Sequence, residues 1–363
     1  MNALDLAAKF WIRISFKASK VFKRRNYLRK VDARNHIKAS ESTLELKVEN
    51  LTTRFGEGPN SITASDGITF NLHKEETLAI VGESGSGKSA TALSLLRLLP
   101  PAGKIVNGSV WFESEDILTY TSRQLQSLRG NKISMIFQDP MTSLNPSMTI
   151  GKQVMEPLFL HLKLDRKKAK QRAISLLNTV KLPNPEETMD SYPHQLSGGM
   201  KQRIMIAMAL ACNPKILIAD EPTTALDVLI QAQILKLFDF LKKKTNLSMI
   251  LITHDFRIVS GMTDRTLVMY AGEIVESGPT QELLKSPLHP YTIGLLNCRP
   301  RKVDGKKIKK LMEIPGVFSR NAKQGCLFFS RCSSAIDRCK TEKPPFKIVF
   351  PGRSASCWLN EVN

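Results

Sequence analysis

The chain has 363 residues, 42% of them hydrophobic and 24% charged, which leaves room for a sizeable core and more than one domain. No apolar run approaches the roughly 18 residues that a membrane-crossing helix needs, and no cleavable apolar stretch follows the first charges, so the expected chain is cytosolic and meets a membrane only by docking. The net charge of +20 lies at the ends: residues 1–40 hold 11 Lys/Arg against Asp5 and Asp32, residues 299–363 hold 15 against five acids, and the stretch between carries 27 bases and 26 acids. That distribution points to surface attachment by the ends, not to a basic groove through the body.

In chain order, residues 1–42 form a basic extension. Phe10, Trp11, Ile14, Val21 and Phe22 stand at roughly helical spacing among Lys and Arg. A basic amphipathic helix on anionic lipid and a disordered tail are both open readings, with an organelle presequence as a third. From Thr43 the pattern alternates through Leu44, Leu46 and Val48, a half-exposed strand ending near Phe55, and a second strand follows around Ile68–Leu72. Phe55 is placed to stack on a nucleotide base or to pack. Together these strands predict an antiparallel layer ahead of the apolar strand Thr77–Val81.

That strand leads into Gly82-Glu83-Ser84-Gly85-Ser86-Gly87-Lys88-Ser89, which fits G-x-x-x-x-G-K-[ST], and a helical stretch runs from Ala90 until Pro100 stops it. Strand, loop and helix are the context a phosphate-binding P-loop needs. The glycines let the backbone turn its N–H groups onto phosphate oxygens, and the helix adds its positive end. Lys88 is expected to reach the β- and γ-phosphates and Ser89 to ligate Mg²⁺. The plain alternative is a glycine-rich turn with a chance lysine.

Further strands are expected at 108–116 and at Ile133–Phe137, followed by helices over 141–196 with proline breaks at 157, 183, 185 and 193. The apolar run Ile216–Ala219 delivers Asp220 and Glu221 at its carboxyl end, the ligand-facing end of a parallel strand. Asp220 suits a water-mediated hold on Mg²⁺ and Glu221 suits polarising an attacking water, unless the pair merely caps the next helix. Ser197, Gly198 and Gly199, opening the helix at 199–211, make a second anion site in one chain. One γ-phosphate rarely needs two such sites, so the second is read as serving a nucleotide on a partner chain. A helix at 228–244, a strand at 248–253 and a hairpin around Tyr270–Glu273 complete an α/β core.

The P-loop, Gln138, Leu196-Ser197-Gly198-Gly199, Asp220-Glu221, Ala225-Leu226-Asp227 and Thr253-His254-Asp255 occur in this order, and over about residues 44–285 the chain resembles ABC ATPases. The resemblance implies an α/β P-loop NTPase core at 43–287 with an antiparallel β layer and a helical subdomain at about 141–200. It also implies a head-to-tail dimer in which ATP and Mg²⁺ lie between one chain's P-loop and the other's Ser197-Gly198-Gly199. By position, Gln138 would sense Mg²⁺ and the γ-phosphate, Asp227 would act across the dimer, and His254 would hold the γ-phosphate and the water. Met200 departs from the commoner glutamine.

Phe137 to Pro146, Leu196 to Leu210, His289-Pro290-Tyr291-Thr292 and Ile314-Pro315-Gly316 further resemble the D-type ATPases of dipeptide, oligopeptide and nickel importers, with a C-terminal extension at 288–363. This implies a related F-type partner ATPase, two transmembrane permease subunits and an extracytoplasmic solute-binding protein. It also implies a peripheral place on the cytoplasmic face of the inner membrane, and no nucleic acid. The expected solute is a di- or oligopeptide, then nickel; a soluble ABC ATPase on nucleic acid or ribosomes is the competing class, which the basic ends would favour and the single P-loop disfavours. Cys326, Cys332, Cys339 and Cys357 crowd the last 40 residues at spacings unlike common zinc pairs. Four thiolates in a reducing compartment favour metal or cluster ligation over disulfides. By resemblance they are candidate [4Fe–4S] ligands, with zinc or plain reduced thiols as alternatives.

Overall fold

A computed structural model describes residues 44–58, 61–224, 226–298, 314–316 and 324–361. The expectations for residues 1–42 and for the basic linker at 299–310 lie outside this set. Among the described residues no helix is long and apolar enough to cross a membrane.

The element order is β1 (Leu44–Phe55), β2 (Ile62–His73), β3 (Thr77–Val81), α1 (Lys88–Leu95), β4 (Gly103–Phe112), β5 (Glu115–Asp116), α2 (Ser122–Leu128), β6 (Ile133–Ile136), α3 (Pro140–Ser143), α4 (Ile150–Leu162), α5 (Arg166–Thr179), α6 (Pro185–Thr188), α7 (Gly198–Ala209), β7 (Ile216–Asp220), α8 (Val228–Thr245), β8 (Ser248–Thr253), α9 (Phe256–Met262), β9 (Arg265–Tyr270), β10 (Glu273–Pro279), α10 (Thr280–Lys285), α11 (Pro290–Asn297), α12 (Arg338–Thr341), β11 (Lys347–Phe350) and β12 (Arg353–Ala355). β2, β1, β4 and β5 form a four-stranded sheet, and β11-β12-β10-β9-β3-β8-β7-β6 an eight-stranded one.

In the larger sheet β3 pairs in parallel with both β8 and β9, and β7 in parallel with β6 and β8. These strands are buried on both faces, which is why they read as unbroken apolar runs. Successive side chains still divide between two faces. Leu78, Ile80, Ile216, Ile218, Ile250 and Ile252 join one core with Val48 of β1, Phe70 of β2 and Leu95 of α1. Leu217, Ala219, Met249 and Leu251 face a second core with Val154, Leu177, Ile204 and Phe238 from α4, α5, α7 and α8. Ala79, Val81, Val268 and Tyr270 face a third, with Tyr291, Leu296 and Phe328.

Two expectations change. Pro157 lies inside α4 and does not end it. The proline removes one helical hydrogen bond, but Val154 and Leu158 on the same helix are completely buried in the second core, and that burial outweighs the lost bond. The cysteine-bearing extension is also less separate than a tail domain. β12 pairs antiparallel with β10 and β11 with β12, so the chain beyond 288 continues the main sheet at its edge. Glu276 of β10 anchors this join: its two carboxylate oxygens accept the backbone N–H groups of Leu288 and His289 at 2.8 and 2.9 Å.

Candidate functional site

The ligand-facing site forms where β3, β6, β7 and β8 end. The loop after β3 needs its glycines for different reasons. A Cβ on Gly82 would lie 2.6 Å from Ser86 Oγ and inside the Met269 carbonyl oxygen of β9. Gly87 caps α1 at φ 106°, a conformation that L side chains avoid, and a Cβ there would strike the Ala64 carbonyl. Lys88 opens α1, and its ammonium donates to the carbonyls of Gly82 and Glu83 at 3.0 and 2.9 Å, arching over the loop. Burial lowers its pKa, opposed by the carboxylates of Glu221, Asp220 and Glu83.

Asp220 is the buried last residue of β7. Burial raises its pKa, while a hydrogen bond with Ser89 lowers it. Its Oδ1 and Ser86 Oγ are both buried without a hydrogen-bond partner among the described residues. Unpaired buried oxygens are costly, and their presence beside Ser89 and Lys88 fits a Mg²⁺–phosphate group. ATP and Mg²⁺ therefore suit the residues present: Ser89, Asp220 and Gln138 for the cation, Lys88 and the loop N–H groups for the phosphates.

Glu221 follows with a positive φ of 44° and its N–H bonded to Ile252 O of β8 at 2.9 Å. Three side chains hold its carboxylate. Gln138 Nε2 lies 3.3 Å from Oε2, Thr224 Oγ1 donates to Oε2 at 2.9 Å, and His254 Nδ1 is 3.3 Å from Oε1. The His254 bond is the main force lowering the Glu221 pKa, and the same bond raises that of His254. The carboxylate is thus ionised, fixed in direction and close to the charge of Lys88.

Ser197, Gly198 and Gly199 make a second group. Ser197 caps α7 by accepting from Met200 N. A Cβ on Gly199 would approach Ile230 of α8 to 3.0 Å, and Asp227 caps α8 by accepting from Ile230 N at 2.9 Å. Two helix starts therefore lie side by side, with Ser197 and Asp227 exposed. The neighbouring Val228 and Leu229 are exposed as well, at 77% and 69%. Phe55 ends β1 with its ring against Gly103, where a Cβ would come within 2.9 Å.

Cys326, Cys332, Cys339 and Cys357 line one pocket together with His289 and Phe328. All four are free thiols, as are Cys212 and Cys298. Burial pushes the thiols of Cys326 and Cys357 up to about 11, and repulsion from the other cysteines adds to it. Among the described residues no three His, Cys, Asp or Glu side chains converge on a point for one metal ion. The site also contains residues to which sequence patterning gave no role there. Thr224 and Arg331 were not singled out at all, and Tyr291 was noted only within the His289–Thr292 motif; Tyr291 and Arg331 reach Glu83 from the extension. No spacing rule links positions 83 and 331; the arginine beside Cys332 is the only local signal.

Residues 65–224 match the ABC transporter family, and residues 275–339 match the C-terminal region of oligopeptide/dipeptide transporters. The chain is 50% identical to the oligopeptide transport ATP-binding protein AppD of Bacillus subtilis, over 88% of this chain and 98% of that one. It is 46% identical to the dipeptide transport ATP-binding protein DppD of the same organism, over 87% and 95%. Among solved structures it resembles a dimeric ATP-binding cassette in a post-hydrolysis state with ADP and Pi, at TM-score 0.59 and 29% identity over 65% of this chain and 98% of the other. It also resembles cbiO1 of Clostridium perfringens, part of an ABC transporter complex, at TM-score 0.57 and 30% identity over 67% and 92%. The chain belongs to the ATP-binding, ATP-hydrolysing proteins of oligopeptide/dipeptide ABC transporters.

Proposed function

We propose that this chain powers uptake of di- or oligopeptides, working at the cytoplasmic face of the inner membrane with a related F-type ATPase, two permease subunits and an extracytoplasmic solute-binding protein. The observation that carries the catalytic half is the threefold hold on Glu221 by Gln138, Thr224 and His254, beside Lys88. An ionised carboxylate held in one direction is what a general base for the attacking water needs. His254 supports it and would hold the γ-phosphate; Ser89, Gln138 and Asp220 would take Mg²⁺. Ser197, Gly198, Gly199 and Asp227 serve the partner's nucleotide, and the exposed Val228 and Leu229 beside them fit a contact between ATPase chains. Nucleotide closure then pulls on the permeases through the region around Gln138, where Phe137 and Met141 are exposed.

The four cysteines are candidate ligands of a [4Fe–4S] cluster, a reading that their shared pocket supports. Such a cluster would supply four short bonds that tie together a small fold with little core.

Replacing Glu221 with Gln tests the base. The expected variant binds MgATP like the wild type while turnover in the assembled transporter falls by about 10²–10⁴. Turnover within a few-fold of wild type would overturn the assignment. The solute is identified by mass spectrometry of what the intact complex traps, with nickel as the outcome that would redirect the substrate.

A further inference from the structure

Glu83, the second residue of the P-loop, is held from the far end of the chain. Its side chain forms a two-pronged ion pair with Arg331, Nη1 to Oε2 at 2.7 Å and Nη2 to Oε1 at 3.0 Å. Its backbone N–H donates to the Tyr291 hydroxyl at 2.8 Å. Both partners belong to the C-terminal extension, and both are buried, Arg331 at 6% exposure and Tyr291 at 0%.

The arginine is fixed from behind. Its Nε donates to Pro315 O at 3.0 Å and its guanidinium lies 5.9 Å from the Tyr270 ring centroid. Tyr270, Tyr291 and Phe328 pack edge to face at 4.7 to 5.4 Å. Arg331 ends the short turn Phe329–Arg331, which is closed on both sides by cysteines: Phe329 N bonds Cys326 O, and Cys332 N bonds Phe329 O. Cys326 N in turn bonds Cys339 O at 2.8 Å. The turn that spaces the cysteines thus aims the arginine at the P-loop.

We propose that Arg331 and Tyr291 form a strap that fixes the P-loop in its phosphate-binding shape. Arg331 is then a positioning residue acting through Glu83, and the cysteine pocket and the nucleotide site are coupled. The physical case is the forked geometry. A guanidinium matches a carboxylate bidentately and fixes direction as well as charge, which a lysine cannot do. Glu83 follows Gly82 at the start of the loop and its carbonyl accepts from the Lys88 ammonium, so freeing it loosens the cradle at its first turn. Coupling of this kind is reciprocal: what the extension does for ATP, ATP must do for the extension.

The inference rests on the P-loop holding ATP, and wild-type nucleotide binding checks that separately; a wild type that binds none would count against the nucleotide reading, not the strap. The test uses the full-length chain. Arg331→Met is expected to weaken MgATP binding about five- to tenfold, with Arg331→Lys intermediate. In the assembled transporter KM rises while kcat at saturating ATP stays within about twofold, because a positioned loop affects binding more than the chemical step. Combining Arg331→Met with Glu83→Gln should cost no more than the worse single change. Reciprocally, MgATP should slow hydrogen exchange over residues 326–339 in the wild type and not in Arg331→Met. Unchanged affinity in Arg331→Met, additive effects in the double variant, or wild-type exchange insensitive to MgATP would each overturn the strap. If Arg331→Met fails to fold, Tyr291→Phe, which removes only the hydroxyl that accepts from Glu83 N–H, carries the same measurements.

Discussion

Glu221 shows how one residue gathers a site. Its carboxylate collects Gln138 from the end of β6, His254 from the end of β8 and Thr224 from its own loop. The backbone accepts a positive φ to do so, a conformation that for a non-glycine residue is usually kept where function uses it. The His254 bond has a pH signature. It raises His254 above 6.5 and lowers Glu221 below 4.5, so both groups are charged between those values. The pair is lost as pH rises through the raised His254 value, or falls through the lowered Glu221 value. We expect the His254 imidazole to titrate above 6.5 by NMR in the wild type, and to return toward 6.5 in Glu221→Gln. A midpoint unmoved by that substitution would remove the pair. Gln138, Glu221 and His254 were each legible in the sequence from a motif, whereas Thr224 was not; nor was their convergence, since positions 138, 221 and 254 meet only through strand order.

Among elements, β3 and the loop after it were readable because their pattern is local: a short, mostly apolar strand, then glycines, of which Gly82 and Gly87 stand where any Cβ would collide. Gly82→Ala is expected to abolish high-affinity MgATP binding, since the new methyl meets the β9 backbone and not a yielding side chain. Wild-type affinity in that variant would show that the loop relaxes. Pro157 marks the limit of local reading, for a helix breaker sits within a helix whose burial depends on partners distant in sequence.

α11 gives a second prediction. His289 caps it by accepting from Tyr291 N at 3.0 Å, and burial drives its pKa down to about 4. Between pH 6.5 and about 4 the unfolded chain binds a proton that the folded one refuses. Stability of the extension therefore falls as pH drops through this window, by up to about 3 kcal/mol. His289→Asn keeps a cap acceptor without the titration and should flatten the dependence. Fluorescence of the buried Trp358, with Trp11 and Trp111 replaced by Phe, reads it. An equal pH slope in both proteins would assign the effect to other groups.

For the whole molecule, Ser197, Gly198, Gly199 and Asp227 gather at two adjacent helix starts. A nucleotide clasped between chains follows if this group serves the partner. Ser197→Arg should then leave MgATP binding to this chain's own P-loop intact while hydrolysis at the site shared with the partner falls by more than tenfold, as expected when charge recognition at a helix N-terminus is blocked. Loss of binding to the chain's own loop would instead place the serine in the same site. The eight-stranded sheet matters at this scale too. Because β12 pairs with β10, the extension is bound to the ATPase core by backbone hydrogen bonds, and its cysteine pocket lies within reach of the P-loop.

The sequence by itself determined the phosphate loop, the acid pair at the end of β7, the glycine-opened helix at 198 and the class of fold. Each rests on neighbours a few residues apart, where backbone geometry and residue type decide the outcome. Only the tertiary structure decided that Arg331 and Tyr291 close on Glu83, that Pro157 stays inside its helix, and that the C-terminal chain adds strands to the main sheet. Those outcomes depend on contacts across up to 248 residues, which burial and strand pairing select and no local pattern encodes.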